Sequence, residues 1–229
     1  MHDFSEALRL IFTGDTELWG IIWVTLRMSF FSTIISSIIG LPLGAVMGSC
    51  RFPGQRTLVQ ITSTLMSLPP VVAGLLVFLL LSRSGPLGQL RLLYTVEAMV
   101  IAQVVLITPI IAGMAAAVLE KQAQPVLETC AGLGMSFVRS RRMLLWDCRS
   151  QLVSVVMAGL GRSLAEVGAV QLVGGNVQGK TRVMTTAIML ETNMGRFDFA
   201  LALGVILLFL AFVINIFARR LERRTHREI

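Results

Sequence analysis

Two stretches of this chain, residues 57–81 and 98–119, contain no charged side chain. A helix needs roughly 20 apolar residues to cross the hydrocarbon core of a bilayer, and both stretches are long enough. Three more runs reach that length: 18–50, with Arg27 as its only charge; 151–173, with Arg162 and Glu166; and the uncharged 199–218. None alternates polar with apolar residues, and an open sheet edge cannot face lipid, so strands are excluded. The expectation is an all-α polytopic membrane protein of about five transmembrane helices, forming one domain over residues 1–229. The run 18–50 is too long for one simple span, so part of it extends beyond the lipid.

Composition agrees. Hydrophobic residues make up 55% of the 229, and charged residues 14%, against about 25% in a soluble domain. The net charge of +7 does not indicate nucleic acid, because the basic residues lie between apolar runs and near the C-terminus rather than on one soluble face. Counted by connection, with the N-terminus outside, 12 Lys and Arg fall on the inner side and 6 on the outer. That asymmetry predicts an N-terminus out, C-terminus in topology. Cys50, Cys130 and Cys148 are odd in number and form no C-x-x-C pair, and His2 and His226 stand far apart, so neither a disulfide framework nor a metal site is expected. Asp3 and Glu6 stand where a signal peptide would be basic. The stretch 4–12 reads as a short helix on the membrane surface or as a frayed terminus.

Small and cyclic residues punctuate the spans. Gly40, Gly44 and Gly48 sit four apart, the spacing that lets two helices approach closely. Leu68-Pro69-Pro70 and Thr108-Pro109 predict helix breaks within spans two and three. In transporters broken helices mark the pathway, and a packing kink is the plainer alternative. Arg162 and Glu166, the two charges inside span four, stand four apart and can neutralise each other. They are read first as a fixed ion pair, with a substrate-binding Arg162 as the sharper alternative. Lys180, Arg182 and Arg196 make an outer loop basic: a feature that steers an anion, meets an acidic partner, or is simply solvated.

Residues 174–181 fit G-x-x-x-x-G-K-[ST], the loop whose backbone N–H groups cradle nucleotide phosphates. That chemistry needs a strand before the loop and a helix after it inside a parallel α/β domain. Here a membrane span precedes it, and of the fewer than 50 residues that follow, the fifth span takes 20. The match is read as accidental, and the segment as an extracytoplasmic loop around Asn176 that helps gate the pathway.

The segment 120–150 is the one sizeable soluble stretch on the inner side. Pro125 suits a first helical turn, Glu128 the positive helix start, and Gly132 and Gly134 an end. Ser136 then suits the cap of a second helix over 137–146, with Arg139, Arg141 and Arg142 solvated. Two short helices joined at glycine form a rigid knob. Glu128 followed six residues later by Gly134 resembles the E-A-A-x-x-x-G signature of ABC importer permeases, with Thr129-Cys130 in place of the two alanines. Leu144-Leu145-Trp146-Asp147 stands where that family has I-x-L-P. Gly161-Arg162-Ser163-Leu164-Ala165-Glu166-Val167-Gly168-Ala169 is similar to the G-R-x-x-A-E-x-G-A run of the molybdate, tungstate and sulfate group. Gly174-Gly175-Asn176, the stretch 181–192, Ser67-Leu68-Pro69-Pro70-Val71-Val72 and Ser82-Arg83-Ser84-Gly85-Pro86-Leu87-Gly88 look most like the tungstate-type branch.

The resemblance implies a type I ABC importer permease fold in a bacterial or archaeal plasma (inner) membrane. It implies a homodimer with an ABC ATPase subunit on the cytoplasmic side and an extracytoplasmic oxyanion-binding protein. ATP and magnesium would be used by the partner ATPase, and no cofactor bound by this chain. Glu128, Thr129, Cys130 and Gly134 would couple to that partner; Pro69, Pro70, Thr108, Pro109, Arg162, Glu166 and Asn176 would line or gate the pathway. The physics accords. An unpaired dianion cannot enter hydrocarbon, and moving two negative charges against 100 mV costs about 4.6 kcal/mol. Import therefore needs fuel from a partner. An ion-coupled transporter would show inverted repeats and paired intramembrane carboxylates, and an enzyme a His cluster, a carboxylate pair or a Cys–His set. The sequence displays none of these.

Overall fold

The structure is a computed structural model that describes the backbone of residues 16–225 and the side chains of residues 16–220. The stretch 4–12 lies outside the described residues. Every regular element described is helical. In chain order they are α1 (Thr16–Ser49), α2 (Gln55–Met66), α3 (Pro70–Leu81), a 3₁₀ turn (Gly88–Leu90), α4 (Val96–Gly132), α5 (Phe137–Asp147), α6 (Arg149–Leu164), α7 (Gly168–Gly174), α8 (Met184–Asn193) and α9 (Phe197–Thr225). Among the described residues three helices are long and apolar enough to cross a membrane, and five spans result if α2–α3 and α6–α7, each bent at a short break, are counted as one apiece. The 34 residues of α1 amount to about 51 Å, well beyond a hydrocarbon core of about 30 Å.

The prolines behave differently from one another. Span two breaks at Pro69-Pro70, as expected: two successive residues without N–H cannot continue the ladder of α2, and Leu68 is pushed out of the helical region. Pro69 is extended (φ −60°, ψ 129°), and Pro70 opens α3, where a missing N–H costs nothing. Pro109, however, does not break span three; α4 runs through it and through Pro125 without interruption. A lone proline removes one hydrogen bond, and a helix packed on its neighbours tolerates the loss.

The chain clusters into two compact units, and four helices contribute residues to both. One holds residues up to Ser32, Pro69–Val105 and Leu160–Ile214. Its apolar core joins Leu18, Ile21 and Ile22 of α1 to Met184 and Ala187 of α8 and to Ala202 and Leu203 of α9. Thr25 accepts the Met184 N–H at 2.9 Å, satisfying an open donor at the start of α8. Deeper in, Ser32 and Ser163 each donate to Gln103 Oε1 at 2.6 Å, while Gln103 Nε2 donates to the Ser163 carbonyl at 2.9 Å. All three are fully buried. With its partners satisfied, such a polar knot pins α1, α4 and α6 in one arrangement.

The other unit holds Thr33–Leu68, Leu106–Gly159 and the residues from Asn215. Its seam is the glycine series of α1. A Cβ on Gly40 would lie 3.0 Å from the Thr108 carbonyl oxygen, one on Gly44 2.6 Å from that of Ala112, and one on Gly48 would overlap that of Ala116. Glycines four apart on α1 thus meet carbonyls four apart on α4, backbone against backbone. A second cluster joins Leu119, Leu144 and Cys148 with Ala45, Val126 and Leu152, fastening α5 to α1, α4 and α6.

Candidate functional site

Most of the residues singled out in the sequence fall into two groups. The first surrounds the break between α6 and α7. Arg162 Nη2 lies 3.2 Å from Glu166 Oε2; the carboxylate side chain is 5% exposed and the guanidinium 41%. Glu166 Oε1 accepts the Ala169 N–H at 3.3 Å, at the start of α7, and the Glu166 carbonyl accepts the Thr185 hydroxyl at 2.8 Å. The pair is therefore formed and tied to α8. α3 packs directly on α7: a Cβ on Gly74 would meet Ala169 Cα at 2.6 Å, and one on Gly168 would meet Val71 at 2.9 Å. Pro69 and Pro70 thus lie at the start of the helix that packs on α7, just beyond Glu166. Asn176 follows in the left-handed region at φ 51°, and its Oδ1 accepts the Thr186 hydroxyl at 3.0 Å. Thr108 and Pro109 belong to the other unit, where the Thr108 carbonyl receives Gly40.

The loop 174–181 closes on itself. Val177 O accepts the N–H groups of Lys180, Thr181 and Arg182. The buried Thr181 hydroxyl donates to Gly174 O at 2.6 Å and accepts the Val177 N–H at 3.0 Å.

Of Lys180, Arg182 and Arg196, two are in ion pairs among the described residues. Arg182 meets Glu17 at 3.1 Å, where Gln178 also donates at 2.8 Å. Arg196 meets the buried Glu191 at 2.6 Å. Sequence reasoning missed Glu191 as a buried acid, because α8 is too short to register as an apolar run; Arg196 five residues later was the available signal.

The second group is the segment 120–150. Its first helix is not separate, as expected from Pro125, but the end of α4. It terminates at Gly134, φ 67°. There Met135 N–H bonds Cys130 O and Gly134 N–H bonds Ala131 O, both at 3.0 Å, the paired pattern of a Schellman cap that calls for glycine. Glu128 is exposed and accepts Gln124 Nε2 at 3.0 Å. Thr129 is exposed and donates to Pro125 O at 2.9 Å, and Cys130 is buried.

Ser136 occupies the N-cap of α5, but its side chain makes no cap bond. Arg141 departs from the solvated expectation: its guanidinium stacks 4.8 Å over the Phe137 ring. Cys148 is fully buried. Loss of water raises its thiol to about 11, and the neighbouring Asp147 carboxylate adds to the rise. While Leu144 and Cys148 anchor α5, Leu133 (75% exposed), Val138 (74%), Phe137 and Trp146 face outward. An apolar set of this kind beside a rigid cap is suited to a partner surface.

Comparison with known proteins gives a consistent picture. The family described as "Binding-protein-dependent transport system inner membrane component" matches residues 40–227. A tungstate uptake system permease protein, TupB, of Peptoclostridium acidaminophilum is 35% identical over 212 residues, covering 93% of both chains. The protein of the same name from Campylobacter jejuni is also 35% identical, over 96% of this chain and 92% of its own. Among solved structures, an inward-facing MetNI methionine ABC transporter chain aligns with a TM-score of 0.66 at 21% identity, covering 91% of this chain and 95% of that one. At that identity the likeness speaks for the fold alone, that of a type I ABC importer permease.

Proposed function

The chain belongs to the family of inner membrane components of binding-protein-dependent transport systems, and from that premise we propose that it is the permease subunit of an ATP-driven tungstate importer. The observation that carries the cargo is the 35% identity to tungstate permeases along nearly the whole of both chains. The subunit works as a homodimer in the inner membrane, with its N-terminus out and C-terminus in. An extracytoplasmic binding protein delivers the oxyanion, and an ABC ATPase binds at residues 120–150.

In this reading Glu128, Thr129, Cys130 and Gly134 form the coupling end. The outward Leu133, Phe137, Val138 and Trp146 support it, since they give the partner an apolar surface on a capped, anchored support. ATP and magnesium belong to the partner. The accidental reading of the G-x-x-x-x-G-K-T match is supported by the loop's own N–H groups: those of Lys180, Thr181 and Arg182 bond Val177 O, and that of Val177 bonds the Thr181 hydroxyl, so they do not point at a phosphate. Pro69, Pro70, Arg162, Glu166 and Asn176 are read as gate residues, supported by the packing of α3 on α7 beside the Arg162–Glu166 pair; Thr108 and Pro109, in the other unit, are read as pathway residues.

The test joins two measurements. Proteoliposomes holding the full assembly are expected to take up labelled tungstate with ATP, in preference to molybdate and sulfate. Glu128→Ala and Gly134→Pro are expected to weaken retention of the ATPase in a pull-down. Preferential uptake of another anion overturns the cargo; undiminished retention and transport in both variants overturns the coupling assignment.

A further inference from the structure

α2 carries Arg56, Gln60, Ser63 and Thr64, and Ser67 follows at its C-terminal cap. Spacings of three and four place them on one face. The opposite side holds the helix in place. Leu58 packs against Met47, Ala112 and Ala116, the buried Thr62 meets Met47 Sδ at 3.5 Å, and Gln55 Nε2 donates to Met47 O at 2.6 Å. Ile61 and Leu65 flank that contact and are exposed.

The polar face is exposed as well, and together with Glu120 of α4 it lines a cavity of about 880 Å³. Among these five side chains the described residues supply one side-chain hydrogen bond, Thr64 Oγ1 to Gln60 O. Hydroxyls and amides left without partners cannot lie against hydrocarbon, and polar side chains inside a span face a protein interior or a water-filled space. Here no described protein group covers them.

We propose that this face of α2 lines an aqueous passage through which the hydrated oxyanion leaves the inner half of the transporter, and that Arg56 sets its preference for anions. The inference rests on the importer reading and adds residues to it. Hydroxyl and amide donors without charge exchange with an anion's water shell yet hold it weakly, which suits passage rather than capture. Arg56 places a positive charge on the polar face itself, while the Glu120 carboxylate lines the same cavity from α4, and no ion pair joins the two among the described residues.

The test uses the complete transporter in proteoliposomes. Ser63→Cys, Ser67→Cys and Ile61→Cys are placed in a Cys50→Ser background, where Cys130 and Cys148 are buried. Each variant is treated with a sulfonate-bearing methanethiosulfonate and its trimethylammonium counterpart. Cysteines at 63 and 67 are expected to react at least about tenfold faster than the one at 61, with the anionic reagent favoured several-fold relative to a free thiol; Arg56→Gln should abolish that preference. Reaction no faster than at 61 would mean that lipid or a second copy of the chain covers the face, and would overturn the passage. A charge preference indifferent to Arg56→Gln would overturn the role of Arg56. Labelling needs no transport, so failure of tungstate uptake with labelling intact counts against the importer reading alone.

Discussion

Substituting alanine for glycine on α1 tests the backbone seam with one change in two settings. At Gly44 the new Cβ would lie 2.6 Å from the Ala112 carbonyl oxygen and 2.7 Å from Ala115 Cβ, where ordinary contact begins at 3.4 Å. The shortfall of about 0.8 Å cannot be relieved by rotating a side chain, because one obstacle is backbone and the other a Cβ; the helices must separate, losing dispersion contacts along the seam. Overpacking of this kind costs about 2–3 kcal/mol, offset by about 1 kcal/mol from the better helix propensity of alanine. The net loss, about 1–2 kcal/mol, corresponds to a fall of roughly 2–8 °C in Tm for a chain of this size. Gly20 lies on the same helix with nothing within 4 Å of its virtual Cβ, so Gly20→Ala keeps only the propensity gain and should raise Tm by about 1–4 °C. Both are read from thermal unfolding of the purified protein in detergent, followed by tryptophan fluorescence. A Gly44→Ala protein as stable as Gly20→Ala would refute the close approach of α1 and α4.

Three further substitutions probe other sites. Gly134→Ala meets no steric obstacle but forces a side chain into φ 67°, so the cap should weaken by about 1 kcal/mol; hydrogen exchange at Met135, which bonds Cys130 O, should rise about fivefold, and an unchanged rate would count against the cap. Arg162→Ala strands a carboxylate that is 5% exposed and should cost about 2–4 kcal/mol in the same unfolding assay, while Arg162→Lys keeps most of the stability; equal losses would show that charge is not what matters there. The Cys148 thiol, raised to about 11, stays protonated through pH 9 and becomes the reactive thiolate only above it. Alkylation at pH 8 should therefore be slow for Cys148 in the native protein and fast once it is denatured; rapid native labelling would refute its burial.

The long helices were legible in the sequence because nothing competes with an uncharged run of twenty residues in lipid. The same holds for the break at Pro69-Pro70, where two donors vanish together. Pro109 misled because its effect depends on what surrounds α4. Pro125 did so because a residue suited to a helix start is also tolerated where a helix is already in progress. The pairing of Arg162 with Glu166 followed from their spacing, whereas that of Arg182 with Glu17 spans most of the chain and left no local trace. Glu191 is hidden in a ten-residue helix, below the length at which periodicity speaks. The polar face of α2 escaped because averaging hydropathy over 57–81 merges a one-sided helix with the uniformly apolar α3.

Gly40, Gly44 and Gly48 fit Thr108, Ala112 and Ala116 like teeth in a rack. Wherever a tooth meets anything but its notch, a Cβ would strike backbone, so slow creep of α1 along α4 is barred. The pair can change register only by a whole helical turn, about 5.4 Å, and any motion in this half of the molecule that moves one of them by less must carry the other along.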